Sequence, residues 1–236
     1  MSYILGVNAF HGNSSACILK NSEIVFAIEE EKINRIKNWS GFPIESIRMC
    51  LNHVSLNLND ITYIAINKNF VSNLKPKILF SIKNFKNFNY AIKKSKNLFK
   101  VRSIEDFFLK DFNLLKLIPK IIFVDHHIAH LSSSYLTSNF KNSALLSLDG
   151  FGDFSSCAIG LGNPDGLTIK HKVYYPHSLG ILYQSITQML GFNNYGDEYK
   201  IMGMSALGNN KFEEQFQKII TIKDWNYRLN KNYFRY

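Results

Sequence analysis

Leu145-Leu146-Ser147-Leu148-Asp149-Gly150-Phe151-Gly152-Asp153-Phe154-Ser155-Ser156-Cys157-Ala158-Ile159 repeats a pattern found about 141 residues earlier, Ile4-Leu5-Gly6-Val7-Asn8-Ala9-Phe10-His11-Gly12-Asn13-Ser14-Ser15-Ala16-Cys17-Ile18. Each stretch reads as an apolar strand, a glycine-bearing turn, a Ser-Ser pair and a returning strand. A third strand follows in both places, Glu23 to Ile28 after the tight turn Asn21-Ser22, and Leu167 to Tyr174 in the second copy. The spacing is too long for a solenoid and points to two copies of one β-β-β-α-β-α unit.

Between the copies the chain has room to complete the first unit. A charged loop spans residues 29 to 37, and Pro43 opens a helix through about Val54 with Ile44, Ile47 and Leu51 on one face. A strand at Ile61 to Ile66, a helix near Ser103 to Asp111 and a strand at Ile121 to Val124 come next. The expected division is residues 1–141 for the first unit and 142–236 for the second. Two such units facing each other describe an α/β protein of the actin, Hsp70 and sugar-kinase superfold, built from ribonuclease H-like units. In that superfold each first hairpin turn grips phosphate with backbone N–H groups, and glycine lets the backbone come close to an anion.

Where the strand at 121–124 hands over to a helix lies Val124-Asp125-His126-His127-Ile128-Ala129-His130. His126 and His130, at i and i+4, share one helix face, as two imidazoles must to bind one metal ion. His127 points about 100° away. A lone histidine here reads as an ordinary core or surface residue; three in five positions, with Leu148-Asp149-Gly150-Phe151-Gly152-Asp153 following, read as a metal pair. The zinc-protease signature is absent, because His127 stands where it requires glutamate. After the third strand of the second copy, residues 177–190 read as a helix capped by Gly191. Asp197, Glu198 and Lys200 then crowd a glycine turn before a helix rich in small residues; they read either as a solvated helix start or as groups at the phosphate end of a nucleotide cleft.

The 236 residues are 46% hydrophobic, ample for a core. Cys17, Cys50 and Cys157 form no disulfide or zinc-knuckle pattern, which fits a reduced, cytoplasmic setting. No secretory leader or membrane-spanning run is present, so no membrane partner is expected. The net charge of +10 is local: residues 68–102 hold nine lysines, one arginine and no acid. Lysines spaced among Phe70, Phe80, Phe85, Phe88, Tyr90 and Phe99 suit a nucleic-acid surface, but the favoured reading is the solvated face of amphipathic helices, and nucleic acid is not the expected partner.

Six motifs, in order, resemble the O-carbamoyltransferases that tailor antibiotics and nodulation factors. They are residues 5–16; Glu29-Glu30-Glu31-Lys32 with Arg35; Val124 to His130; Leu148 to Asp153; Ser178-Leu179-Gly180-Ile181-Leu182-Tyr183; and Gly196-Asp197-Glu198-Tyr199-Lys200-Ile201-Met202-Gly203. The resemblance implies that a separate C-terminal domain makes carbamoyl-adenylate from ATP and carbamoyl phosphate, and that the part resembling this chain passes the carbamoyl group to a hydroxyl of a small-molecule acceptor. It implies a divalent metal, iron being expected, on His126, His130 and Asp149, with His11 and Lys200 as catalytic groups. Phosphate or nucleotide contacts would come from Gly12, Asn13, Ser14, Gly150, Gly152, Asp153 and Gly203, and substrate contacts from Arg35, Asp197 and Glu198. Related tRNA threonylcarbamoyl-transferring proteins use the same histidine pair, so the metal site is also compatible with a tRNA acceptor.

One departure stands out. Such enzymes continue with further strands, another metal-binding aspartate and the adenylate-forming domain, and residues 223–236 supply no candidate for them. The expectation is therefore an amino-terminal portion, active with a separate C-terminal half, with an open strand edge that invites self-association. The alternatives are a catalytically inert metal- or nucleotide-binding remnant and a phosphotransferase of the same superfold.

Overall fold

Alternating apolar residues build the first sheet from Tyr3–Asn8 (β1), Ser15–Lys20 (β2) and Glu23–Glu29 (β3). β2 is antiparallel to both neighbours. Asn21 and Ser22 join β2 to β3 with φ of 47° and 73°, the two left-handed residues that a tight hairpin needs. Tyr63–Ile66 (β4) then lies parallel to β1, and Lys120–Phe123 (β5) parallel to β4, giving the order β3-β2-β1-β4-β5. A three-stranded meander continued by two parallel strands is the ribonuclease H-like unit of the actin, Hsp70 and sugar-kinase fold, as the repeat implies.

The computed structural model describes residues 1–83 and 104–234. Its two compact units are Met1–Asp125 and His126–Tyr236. In the first, Ile47, Cys50 and Leu51 of α2 (Ile44–His53) join Leu5, Val7 and Ile18 of the sheet in one core, with Phe42 and two residues of a later helix, Ile104 and Phe108.

The charged segment expected as a loop forms a short helix, α1 (Glu30–Asn34), ended by Arg35 at φ 60°. The cause is Glu30. Its buried carboxylate accepts hydrogen bonds from Ser46 N–H and Ser46 Oγ, both at 2.7 Å, and from Glu45 N–H at 3.2 Å. It thereby satisfies donors at the start of α2 that have no partner within the helix. In the basic stretch, α3 (Leu74–Lys83) buries no residue, and Leu74, Ile78, Leu79 and Ile82 are exposed. These apolar residues share one face at the helical spacing of the amphipathic helix expected, but among the described residues that face is not buried; the rest of that stretch, 84–102, lies outside the described residues. The expected helix near 103–111 is α4 (Ile104–Asp111).

The second unit begins with α5 (His126–Leu136), which the sequence reading placed in the first. Its Leu131 and Tyr135 share a core with Leu145 and Ala158 of the second sheet, made of β6 (Ser143–Gly152), β7 (Ser155–Asn163) and β8 (Gly166–Tyr174), all antiparallel. The repeat is geometric as well as sequential. Val7 faces Ala16 in the first hairpin and Leu148 faces Cys157 in the second, the same register moved by the repeat length. In both, a fully buried serine after the turn donates back to the carbonyl three residues earlier: Ser14 to His11 (2.9 Å) and Ser155 to Gly152 (3.1 Å).

After β8 come α6 (Leu179–Met189), α7 (Glu198–Met204) and α8 (Glu213–Ile219). Where the sequence reading found no strand material, Ile220–Lys223 (β9) and Asn226–Leu229 (β10) form a hairpin. Its anchor is Tyr227, packed with Cys157 and Val173, its hydroxyl 3.0 Å from Ser156 Oγ. Leu229 N–H donates to His177 Nδ1 at 3.1 Å. The cysteines are free, and burial pushes the Cys50 and Cys157 thiols up to about 12 and about 11. Among the described residues no helix is long and apolar enough to cross a membrane.

Two outcomes follow from this packing. Glu30→Ala leaves helix-start donors buried and unpaired, and chemical denaturation is expected to show a loss of about 1–3 kcal/mol. Burial, with Lys231 and Arg228 nearby, lowers the His177 pKa below its ordinary 6.5. The folded chain then binds fewer protons there than the unfolded one, so this contribution is complete above that value and shrinks as pH falls through it. Unfolding followed from pH 7.5 to 5.5, a range of about one unit either side of the ordinary histidine pKa, should show a shallower decline for His177→Asn, which keeps an acceptor for Leu229 without titrating.

Candidate metal centre

The centre is built where α5 meets β6. Asp153 accepts the first helical N–H, that of His126, on Oδ2 at 2.9 Å and so caps the helix. One turn on, the His130 ring comes within 4.6 Å of the His126 ring, centroid to centroid. Opposite lies β6, whose alternate residues Leu145, Ser147 and Asp149 meet the helix in turn. Leu145 packs with Leu131 and Tyr135, Ser147 Oγ lies 2.9 Å from His127 Nδ1, and Asp149 Oδ2 lies 2.6 Å from His126 Nε2.

A bulge places the aspartate. Pairing of β6 with β7 runs to Leu148 and Cys157 and resumes at Gly152 and Ser155, so residues 149–151 stand opposite Ser156 alone. Ser178, the N-cap of α6, holds the bulge: its hydroxyl donates to the Gly150 carbonyl at 2.7 Å, with the Asp149 carbonyl at 3.0 Å, and accepts Ile181 N–H at 3.1 Å. Gly152 is required by close approach, since a Cβ there would fall 1.9 Å from the His126 ring.

Three ligand atoms therefore converge. His126 Nε2 and His130 Nε2 are 3.0 Å apart, and Asp149 Oδ2 is 2.6 Å from the first and 3.6 Å from the second. Ligands held about 2.1 Å from one ion lie roughly 3.0–3.4 Å from each other; the two imidazole nitrogens stand at that spacing, and the carboxylate oxygen, closer to one and farther from the other, needs only a small side-chain adjustment to join them on a single cation. The chemistry fits too. A carboxylate only accepts, and two imidazole nitrogens facing each other at this distance cannot both carry a hydrogen or both present a lone pair without repulsion. The adjacent His126 imidazole, and after it that of His130, hold the Asp149 carboxyl well below the usual carboxylate range, so it supplies a negative charge. The His126 side chain is 8% exposed, those of Asp149 and His130 34% and 50%, leaving the outer side of the triad open to solvent. Among the described residues, this is the group of three such side chains whose geometry admits a metal ion.

The other residues expected at the site divide by unit. Gly150 and Gly152, expected as phosphate donors, have structural work here: Gly150 N–H donates to Asp149 Oδ1 at 2.6 Å, and Gly152 seats the His126 ring. Asp153 is the helix cap. Asp197 is buried and pairs with Lys200 Nζ at 2.6 Å, which raises the lysine pKa, while Glu198 opens α7 and Gly203 lies within it beside open space. In the first unit Asn13 takes the left-handed turn position at φ 58°, and Gly12 stands beside it. The fully buried Ser14 hydroxyl lies 2.9 Å from the His11 carbonyl and 2.8 Å from that of Gly41, so it is committed to the backbone. Arg35 is the cap of α1. Ser178 and His127 lie inside motifs of the sequence without an assigned task there, and Ser147 lies in the strand before the glycine loop; short polar residues in an apolar strand and at a helix start are the signal that marks them.

Fold and triad together define a protein of the actin, Hsp70 and sugar-kinase class with a two-histidine, one-carboxylate centre. Residues 3–236 match the family described as carbamoyltransferase N-terminus, and the chain belongs to it. It is 30% identical over 251 residues to the uncharacterized protein sll1178 of Synechocystis, covering 100% of this chain and 40% of that protein. It is 30% identical over 206 residues to nodulation protein NolNO of Sinorhizobium fredii, covering 86% of this chain and 28% of that protein. The chain thus spans well under half the length of either relative. Among solved structures it is similar to YeaZ from Pseudomonas aeruginosa, with a TM-score of 0.40 and 11% identity over 75% of this chain and 68% of that one.

Gly152→Ala drives a methyl group into the His126 ring. It should weaken divalent-metal binding by about tenfold or more, read by metal titration of the folded variant.

Proposed function

We propose that this chain is the amino-terminal portion of an O-carbamoyltransferase, carrying a divalent-metal centre on His126, His130 and Asp149. The observation that carries the reading is the convergence of these three side chains in a member of the carbamoyltransferase family. The donor is carbamoyl-adenylate, made from carbamoyl phosphate and ATP by a separate C-terminal half, and the acceptor is a hydroxyl of a small molecule. In the transfer the acceptor oxygen bonds to the carbamoyl carbon, the bond from that carbon to the adenylate phosphate oxygen breaks, AMP leaves with the electron pair, and the hydroxyl proton is released.

A bound divalent ion, iron being the expected one, supplies Lewis acidity at a carbonyl or phosphate oxygen. The chain's own groups do the rest. Asp149 stays ionised to hold the cation, and Ser178 fixes the bulge that carries it. Lys200, kept protonated by Asp197, offers positive charge to a phosphate rather than a base. His11 stands at the first hairpin turn as the second catalytic group; Gly12 and Asn13 offer backbone donors there, and Arg35 and Glu198 remain as substrate contacts. The chain is proposed to be cytoplasmic.

The first test is metal content of the chain purified anaerobically under reducing conditions. Stoichiometric divalent metal, lost in both His126→Ala and His130→Ala, is expected, together with carbamoyl transfer from carbamoyl phosphate and ATP only when an adenylate-forming C-terminal half is added. Metal at background level in the parent chain would overturn the reading.

A further inference from the structure

The metal reading leaves one residue of the histidine motif without a task. His127 is fully buried and its Nδ1 lies 2.9 Å from Ser147 Oγ, itself 7% exposed. Ser147 and Asp149 sit two residues apart on β6 and so face the same side of the strand. His127 immediately follows His126 and is one helical turn from His130.

Farther along the helix the contact with β6 is apolar, formed by Leu131 and Tyr135 against Leu145, while at its start Asp153 Oδ2 accepts His126 N–H and Asp149 Oδ2 meets His126 Nε2. Apolar contact is non-directional, so by itself it lets a helix roll or slide on a strand at little cost. Either motion matters here. A slide of one residue is about 1.5 Å along the helix, and a roll of a few tens of degrees swings a ring tip by a similar distance, enough to pull two imidazoles off one ligand point. Asp153 pins the helix start through His126 N–H, and the bond between His127 and Ser147 is a second directional contact, deeper along β6, which as a buried bond is not replaced by water when it breaks.

We infer that His127 is a positioning residue: its hydrogen bond to Ser147 fixes the roll and height of α5 on β6, so that His126 and His130 meet Asp149 at one point. The inference rests on the metal reading proposed above. It makes the centre a set of three cross-connections between one helix and one strand, apolar at Leu145, hydrogen-bonded at Ser147 and metal-binding at Asp149.

The test is anaerobic titration of the chain with Co(II), read by its visible absorption, for the parent, Ser147→Ala, His127→Leu and His127→Asn. Asparagine offers an acceptor and donor near the position of Nδ1. Affinity is measured well below each variant's thermal midpoint, so that lost stability and lost positioning are read separately. Ser147→Ala and His127→Leu should bind Co(II) about tenfold or more weakly, with a shifted band, and His127→Asn should recover most of the affinity and the parent band. Parent affinity and an unshifted band in folded Ser147→Ala overturn the positioning role while leaving the metal reading intact. A parent chain that binds no Co(II) overturns the metal reading itself. Should His127→Leu fail to fold, Ser147→Ala decides alone, since it removes one oxygen.

Discussion

The close seating of α5 on its sheet is the constraint on which the second unit depends. Beneath the helix, β7 presents Ala158, Gly160 and Gly162 at alternate positions, with no long side chain on that face. A Cβ on Gly162 would fall 2.7 Å from the Tyr135 ring, and Leu131 Cδ1 already reaches within 3.5 Å of the Cβ position at Gly160. The helix therefore lies near the backbone of the sheet. Its short spacing is what lets imidazoles on the helix touch a carboxylate on the strand directly. A methyl group at Gly162 would press on the Tyr135 ring and so on the helix, whereas one at Gly160 would first meet the Thr168 carbonyl of β8.

Much of this was legible from residues alone. The i, i+4 histidine pair, the Asp-Gly-Phe-Gly-Asp loop and the repeated hairpin each carry a periodicity or turn chemistry that survives without three-dimensional context. Other features depend on partners far away in the chain. Glu30 reads as one of three solvated acids until Ser46 is placed beside it. The hairpin at 220–229 has strands of four residues, too short for alternation to register, and is held by Tyr227 against strands some 55–70 residues earlier. The assignment of α5 to the second unit was likewise hidden, because a helix between two sheets shows its apolar face but not which sheet receives it.

The glycine turns illustrate the same limit from the other side. In sequence, glycine near a strand end suggests anion binding, because it exposes backbone N–H groups. In the structure Gly152 serves the packing of an imidazole, and the N–H of Gly150 is taken by the neighbouring carboxylate. Which use applies is decided by what stands over the glycine, and that is a tertiary fact.

The register shared by the two hairpins places Asn8 where the second has Asp149. Asn8 uses both ends of its amide locally: Nδ2 donates to the Asn13 carbonyl at 3.1 Å, and Oδ1 accepts from Asn67 at 3.0 Å. An amide and a carboxylate have nearly the same shape and differ in formal charge. One hairpin thus closes its own turn with a neutral staple, and the other presents an anion outward to two imidazoles. A duplicated scaffold of this kind lets its two halves diverge in electrostatic character at a single position while the strand register leading up to it is kept.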